Sequence, residues 1–160
     1  MKTACLVFLS AFTLLFAAPD ASVPEGFGHW TTAQLNKVGQ ALDDNAATDP
    51  HRFAVQQLAD YPNEAILLVH RKADGQAELH ETQVDVIVVQ SGSATLLVGG
   101  TLLNGETVAP HEKRNGTIQG GIREKLSAGD IVRIPPRTPH QLFLDGASEF
   151  SYFVVKVKGY

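Results

Sequence analysis

From Ala65 onward, apolar residues come in short runs or at every second position, and the runs are separated by glycine, serine or proline. AILLVHR (65–71), AELHETQ (77–83), VDVIVVQSG (84–92), SATLLVGG (93–100) and SEFSYFVVKV (148–157) each have the length and alternation of a β-strand. KLSAGDIVRIPPRTPHQLFL (125–144) predicts two short strands around a proline turn, and NGETVAPHEKRNGTIQGG (104–121) predicts a polar loop or irregular hairpin. Six to eight short strands with no helices between them predict an all-β antiparallel sandwich or barrel. A parallel sheet would need crossover helices.

Before Ala65 the spacing is helical. Thr31 followed by Gln34 forms a capping box, with Trp30 and Leu35 placed as a hydrophobic staple. Leu35, Val38 and Leu42 make one apolar stripe, which Gly39 weakens. DDNAATDPH (43–51) reads as a loop, and FAVQQLADYP (53–62) as another helical turn or two. The expected organisation is an arm and helical extension over 22–64, followed by a β-barrel domain over 65–160.

Residues 1–21 stand apart from this fold. Lys2, the apolar stretch Ala4 to Ala18 and small residues at its end have the layout of a secretory signal peptide, and the stretch is short for a membrane span of about 20 residues. The expected location is therefore the periplasm or the exterior, with no membrane segment in the mature chain. Cys5 is the only cysteine and would leave with the signal, so no disulfide can support the domain. Removing residues 1–21 takes away Lys2 and Asp20, and the net charge stays at -4. An acidic balance argues against a phosphate-backbone partner, so no nucleic acid is expected.

Alternation puts Glu78, His80 and Thr82 on one face of their strand, and a phase shift after Thr82 brings Asp85 back to that face with Ile87 and Val89. Far downstream, His140 opens HQLFL. A closed sheet would let Glu78, His80, Asp85 and His140 converge inside it. Two imidazoles and two carboxylates suit a divalent transition metal, whether Fe, Mn, Zn, Ni or Cu, and a hydrogen-bonded structural cluster is the plain alternative.

Two longer stretches carry a family resemblance. E78-L-H80-E-T-Q-V-D85-V-I-V-V-Q-S-G92 resembles the first motif of the cupin superfamily, and GDIVRIPPRTPH (129–140) resembles its second, with glycine, proline and histidine at matching spacing. The resemblance covers roughly Ala65 to Val157 and extends to small exported bacterial cupins. It implies a β jelly roll whose metal ligands fall on Glu78, His80, Asp85 and His140. Glu78 stands where that motif has histidine, and Asp85 where it has glutamate. The shorter Asp85 would draw the ion toward its strand or need a bridging water. Two anionic ligands would blunt the ion's Lewis acidity.

Around that site, Glu78 and His111 are the expected proton carriers, and Arg114 and Arg123 are candidates for holding a substrate carboxylate. His70 has two open placements, cavity or solvent, whereas His29, His51 and Arg137 are expected at the surface. No phosphate-binding glycine loop is present, and Ser91 and Ser93 lack a histidine–acid relay. The expected function is metal-assisted oxygenase, isomerase or lyase chemistry on a small molecule. A small-ligand-binding module or a structural dimer without catalysis is the alternative. The apolar strands AILLV and FSYFVV, read as exposed edges, predict a homodimer.

Overall fold

The computed structural model of the chain describes residues 22–160, so the expected signal peptide lies outside the described residues. Helix α1 (Thr32–Thr48) starts at the predicted capping box: the Thr31 N–H donates to Gln34 Oε1 at 2.8 Å and the Gln34 N–H to Thr31 Oγ1 at 3.3 Å. It runs through the segment expected to be a loop and ends at Asp49, before Pro50. Leu42 and Ala46 continue the apolar stripe and pack against Ala54 and Leu68, which is why the helix outlasts its weak Gly39.

Twelve strands follow: β1 (Phe53–Asp60), β2 (Glu64–Arg71), β3 (Glu78–His80), β4 (Gln83–Val98), β5 (Thr101–Leu103), β6 (Glu106–Ala109), β7 (Glu112–Arg114), β8 (Thr117–Gln119), β9 (Ile122–Ser127), β10 (Ile131–Ile134), β11 (His140–Phe143) and β12 (Phe150–Lys158). Pairing runs β1-β2-β12-β4-β11-β3-β7-β6, with β9 and β10 also on β4 and a separate β5–β8 ribbon. All pairs are antiparallel. This is the expected all-β architecture, with the helical extension laid across β1 and β2.

Three local expectations change. FAVQQLADYP is strand, not helix: β1 pairs with β2 from Phe53↔Arg71 to Asp60↔Ala65, so the sheet begins before residue 65. The two runs on either side of Ser91 are one strand, β4, whose first half pairs with β12 and β10 and whose second half pairs with β11 and β9. Gly92 makes this bend possible. It sits at φ +77, opposite Phe150, where a β-carbon would run into the Glu149 carbonyl oxygen. Finally, AILLV and FSYFVV are not edges. β2 lies between β1 and β12, and β12 between β2 and β4, so the edge argument for a dimer falls.

The main core lies between the curled halves of the sheet and includes Val69, Ile87, Leu96, Ile134, Phe150 and Val154. Alternation on β2 and β12 separates two environments. Leu67, Val69, Arg71, Tyr152, Val154 and Lys156 line an internal cavity of about 160 Å³. Leu68, His70, Ser151 and Phe153 line a groove beside α1. No helix among the described residues is long and apolar enough to cross a membrane.

Candidate metal and ligand site

Strand register brings the site together. His140 on β11 lies directly opposite Glu78 on β3, and Glu78 lies opposite Arg114 on β7. Asp85 on β4 faces Lys156 on β12. The Arg137 N–H, from the turn after the two prolines, donates to the His80 carbonyl at 2.7 Å and ties that turn to β3. Arg137 takes a positive φ of 59 there, and its side chain is exposed, as expected.

Glu78, His80 and His140 each offer a ligand atom, all within 4.8 Å of one another. His80 and His140 are buried, and the Glu78 side chain is 14% exposed. The fourth expected ligand, Asp85, has a different partner. Lys156 Nζ lies 2.9 Å from both of its carboxylate oxygens and 3.1 Å from His80 Nε2.

The electrostatics follow from this crowding. Burial works against the Glu78 carboxylate, but His80, Arg114, His140 and Arg71 hold its pKa well below the usual range. Burial likewise opposes Asp85 ionisation and is outweighed by His80 and Lys156, so its pKa is lowered. His80 resists charging by burial, yet Asp85 and Glu78, each with an oxygen 3.4 Å from Nε2, raise its pKa to about 9. Burial lowers the His140 pKa, against the pull of the nearby Glu78 and Asp85 carboxylates.

The residues fit a divalent ion in part. The His140 Nδ1–H donates to the Thr138 carbonyl at 3.1 Å, which leaves a lone pair on Nε2, the tautomer a metal ligand needs. The buried His80 Nδ1 has no hydrogen-bond partner, so nothing holds that ring with Nε2 deprotonated. One carboxylate and two imidazoles form a three-residue donor set, and Asp85 would join it only by releasing Lys156.

Arginines flank the same cavity. Arg71 Nε donates to the Tyr152 hydroxyl at 3.1 Å, and its guanidinium lies 4.5 Å from the centre of the Phe53 ring. Arg71 Nη2 and Arg114 Nη1 approach Glu78 Oε1 to 3.7 and 3.8 Å, too far for hydrogen bonds. Both also border an adjoining cavity of about 250 Å³.

Other candidates lie elsewhere. His111 is 62% exposed on the β6–β7 turn, beside Glu81, and does not line the cavity. The Arg123 guanidinium stacks over Phe143 on the outside. His70 faces neither the cavity nor solvent, because it is buried beneath α1. Sequence reasoning missed Lys156, Arg71 and Tyr152. Lys156 and Tyr152 share the inward parity of Val154, and that periodicity was the available signal.

No protein-family model matches the chain, and no curated protein sequence matches it. Solved structures do. An uncharacterized conserved protein with a double-stranded beta-helix domain from Klebsiella pneumoniae aligns with TM-score 0.53 at 18% identity, over 74% of this chain and 82% of that one. KdgF from Halomonas sp. aligns with TM-score 0.50 at 16% identity, over 71% and 85% respectively. The cupin domain of Cnp3 from Schizosaccharomyces pombe aligns with TM-score 0.51 at 9% identity, over 67% and 65%. At these identities the likeness establishes the fold alone, a β jelly roll of the double-stranded β-helix kind.

Proposed function

We propose that this cupin-fold chain is exported and binds a small organic anion inside its barrel, together with one divalent transition metal held by Glu78, His80 and His140. The observation that carries this reading is the convergence of those three ligand atoms within 4.8 Å, beside a cavity flanked by Arg71 and Arg114. When bound, the ion would supply Lewis acidity toward a ligand oxygen. The chain's own residues do the rest. Arg71 and Arg114 offer guanidinium N–H groups to a carboxylate of the ligand, the geometry for which arginine is suited. Leu67, Val69, Ile87 and Val154 form a wall that limits water. Lys156, held by Asp85, is the one amine in the cavity lining and can donate a hydrogen bond to a bound ligand.

A second reading is favoured by one observation: Lys156 Nζ lies 2.9 Å from both oxygens of Asp85, the carboxylate expected as the fourth ligand. In that reading the ammonium is the site's permanent cation, and the barrel is a metal-free binding module.

Elemental analysis and melting curves with and without chelator separate the two. The metal reading expects metal bound at this site, a lower melting temperature in chelator, and loss of one equivalent of metal with a smaller chelator effect in His80→Ala and His140→Ala but not in His51→Ala. Metal content and melting that are unchanged by the His80 and His140 substitutions would leave the binding module.

A further inference from the structure

A second group of polar side chains lies on the other side of the sheet, where α1 crosses it. Asp43 comes from α1, His70 from β2, and Glu149 from the residue before β12. Each offers a ligand atom, and these atoms all lie within 4.8 Å of one another. The group borders the groove of about 650 Å³ beside the helix.

His70 carries the argument. Its side chain is only 6% exposed, although its strand neighbours on that face are apolar or small. On β12, Ser151 lies directly opposite, and its Oγ is 2.5 Å from His70 Nδ1. A ring that donates Nδ1–H to that hydroxyl has a lone pair on Nε2. Nε2 lies 3.1 Å from Asp43 Oδ1 and 3.9 Å from Glu149 Oε2, yet it has no hydrogen-bond partner. Asp43 Oδ1 has none either, although Lys72 Nζ approaches it to 2.6 Å, off the direction a hydrogen bond needs. Asp43 is 44% exposed and has the Lys72 ammonium beside it, whereas the buried Nε2 has no directed partner; a cation reached by Nε2, Asp43 and Glu149 together would satisfy the ring as well.

We infer that Asp43, His70 and Glu149 form a second divalent-metal site, which fastens α1 to the sheet. One imidazole and two carboxylates suit Zn or Mn, and Ser151 is the outer partner that fixes the ring tautomer. Lys72 Nζ lies 3.5 Å from Glu149 and 2.6 Å from Asp43, so in the metal-free chain it supplies the local positive charge. Its long stem lets the ammonium swing outward when an ion enters. Binding here cross-links three elements that are distant in sequence, a role disulfides fill in other exported domains.

The test uses the full chain carrying His80→Ala and His140→Ala, so the barrel site cannot contribute, and titrates it with Zn²⁺ by calorimetry. One equivalent is expected, with slower hydrogen exchange over 32–48 on loading. Adding Asp43→Asn, at a position whose side chain is 44% exposed and which tolerates change, should weaken that equivalent at least about tenfold. Adding His70→Ala should remove it, and Lys72→Met should tighten it. Zn²⁺ binding that is absent from the double variant, or indifferent to Asp43→Asn and His70→Ala, overturns the inference. Loss of the barrel ion alone leaves one equivalent in wild type and touches only the proposed function.

Discussion

Lys156 and Asp85 face each other across β12 and β4, with the ammonium 2.9 Å from both carboxylate oxygens. Asp85 is nearly inaccessible, at 6% side-chain exposure, and Lys156 is at 21%. Removing one partner from such a pair strands a buried charge, at a cost of about 3 kcal/mol or more. Lys156→Met should therefore lower the melting temperature strongly in chelator. With metal present the loss should shrink and metal affinity should rise, because Asp85 becomes free to ligate. Titration calorimetry and melting curves on the same samples check both effects. Weaker metal binding in Lys156→Met would show that the ammonium does not compete with the ion.

The arginines set ligand class. Arg71→Met and Arg114→Met each remove a guanidinium from the cavity wall, and a charged hydrogen bond is worth about 1.5–3 kcal/mol. Screening small carboxylates by melting shift should identify a binder in wild type. Either substitution should weaken it roughly ten- to a hundredfold. Neutral analogues of the same shape should bind poorly to all three proteins. Equal binding of acid and neutral analogue would remove the anion from the proposal.

Tyr152 gives a pH signature. Burial raises the pKa of its phenol, and the nearby Arg71 offsets this only in part. A phenol whose folded pKa is raised contributes stability that is fully present below the unfolded value of about 10 and is lost as pH climbs through the higher folded value. Ultraviolet titration of the protein, which has three tyrosines, should show one phenol ionising late and together with unfolding. Tyr152→Phe should abolish that late phase. Its persistence would assign the phase to another tyrosine.

Export and assembly are checked on protein from a secreting bacterium. N-terminal sequencing should find a start between Ala18 and Ser22. An intact Met1 on cytoplasmic protein would remove export. The homodimer is still proposed without the edge argument, on the exposed face of β10, where Ile131 is 70% exposed. Light scattering should give twice the chain mass, and Ile131→Lys should reduce it to one.

Much of this architecture can be read from alternation alone. Glu78 and His80 share a face, Asp85 falls in with Ile87 and Val89, and all three turn inward. His140 is findable from the glycine–proline–histidine spacing, because the prolines fix where β10 ends and β11 begins. Lys156 was hidden by composition, since FVVKV reads as apolar and its lysine as a surface residue. β1 was misread because Gln56 and Gln57 interrupt its alternation and because its apolar residues Ala54 and Leu58 pack against α1, as a second helical turn would. The bend in β4 looks like a turn in sequence because Ser-Gly-Ser is turn chemistry. Pairing with β12 as far as Gly92 and with β9 from Ser93 carries the strand through it.

The position of β12 has a consequence for the order in which the chain can fold. Residues 150–158 are made after every other strand, yet they occupy the middle of the sheet, between β2 and β4, and deliver Tyr152 and Lys156 to the cavity. Until they emerge from the ribosome, β2 and β4 have no common neighbour and the barrel has no closed wall. The pairings β1–β2, β3–β7 and those of β4 with β9, β10 and β11 need nothing from these residues, but closure of the cavity wall waits for them.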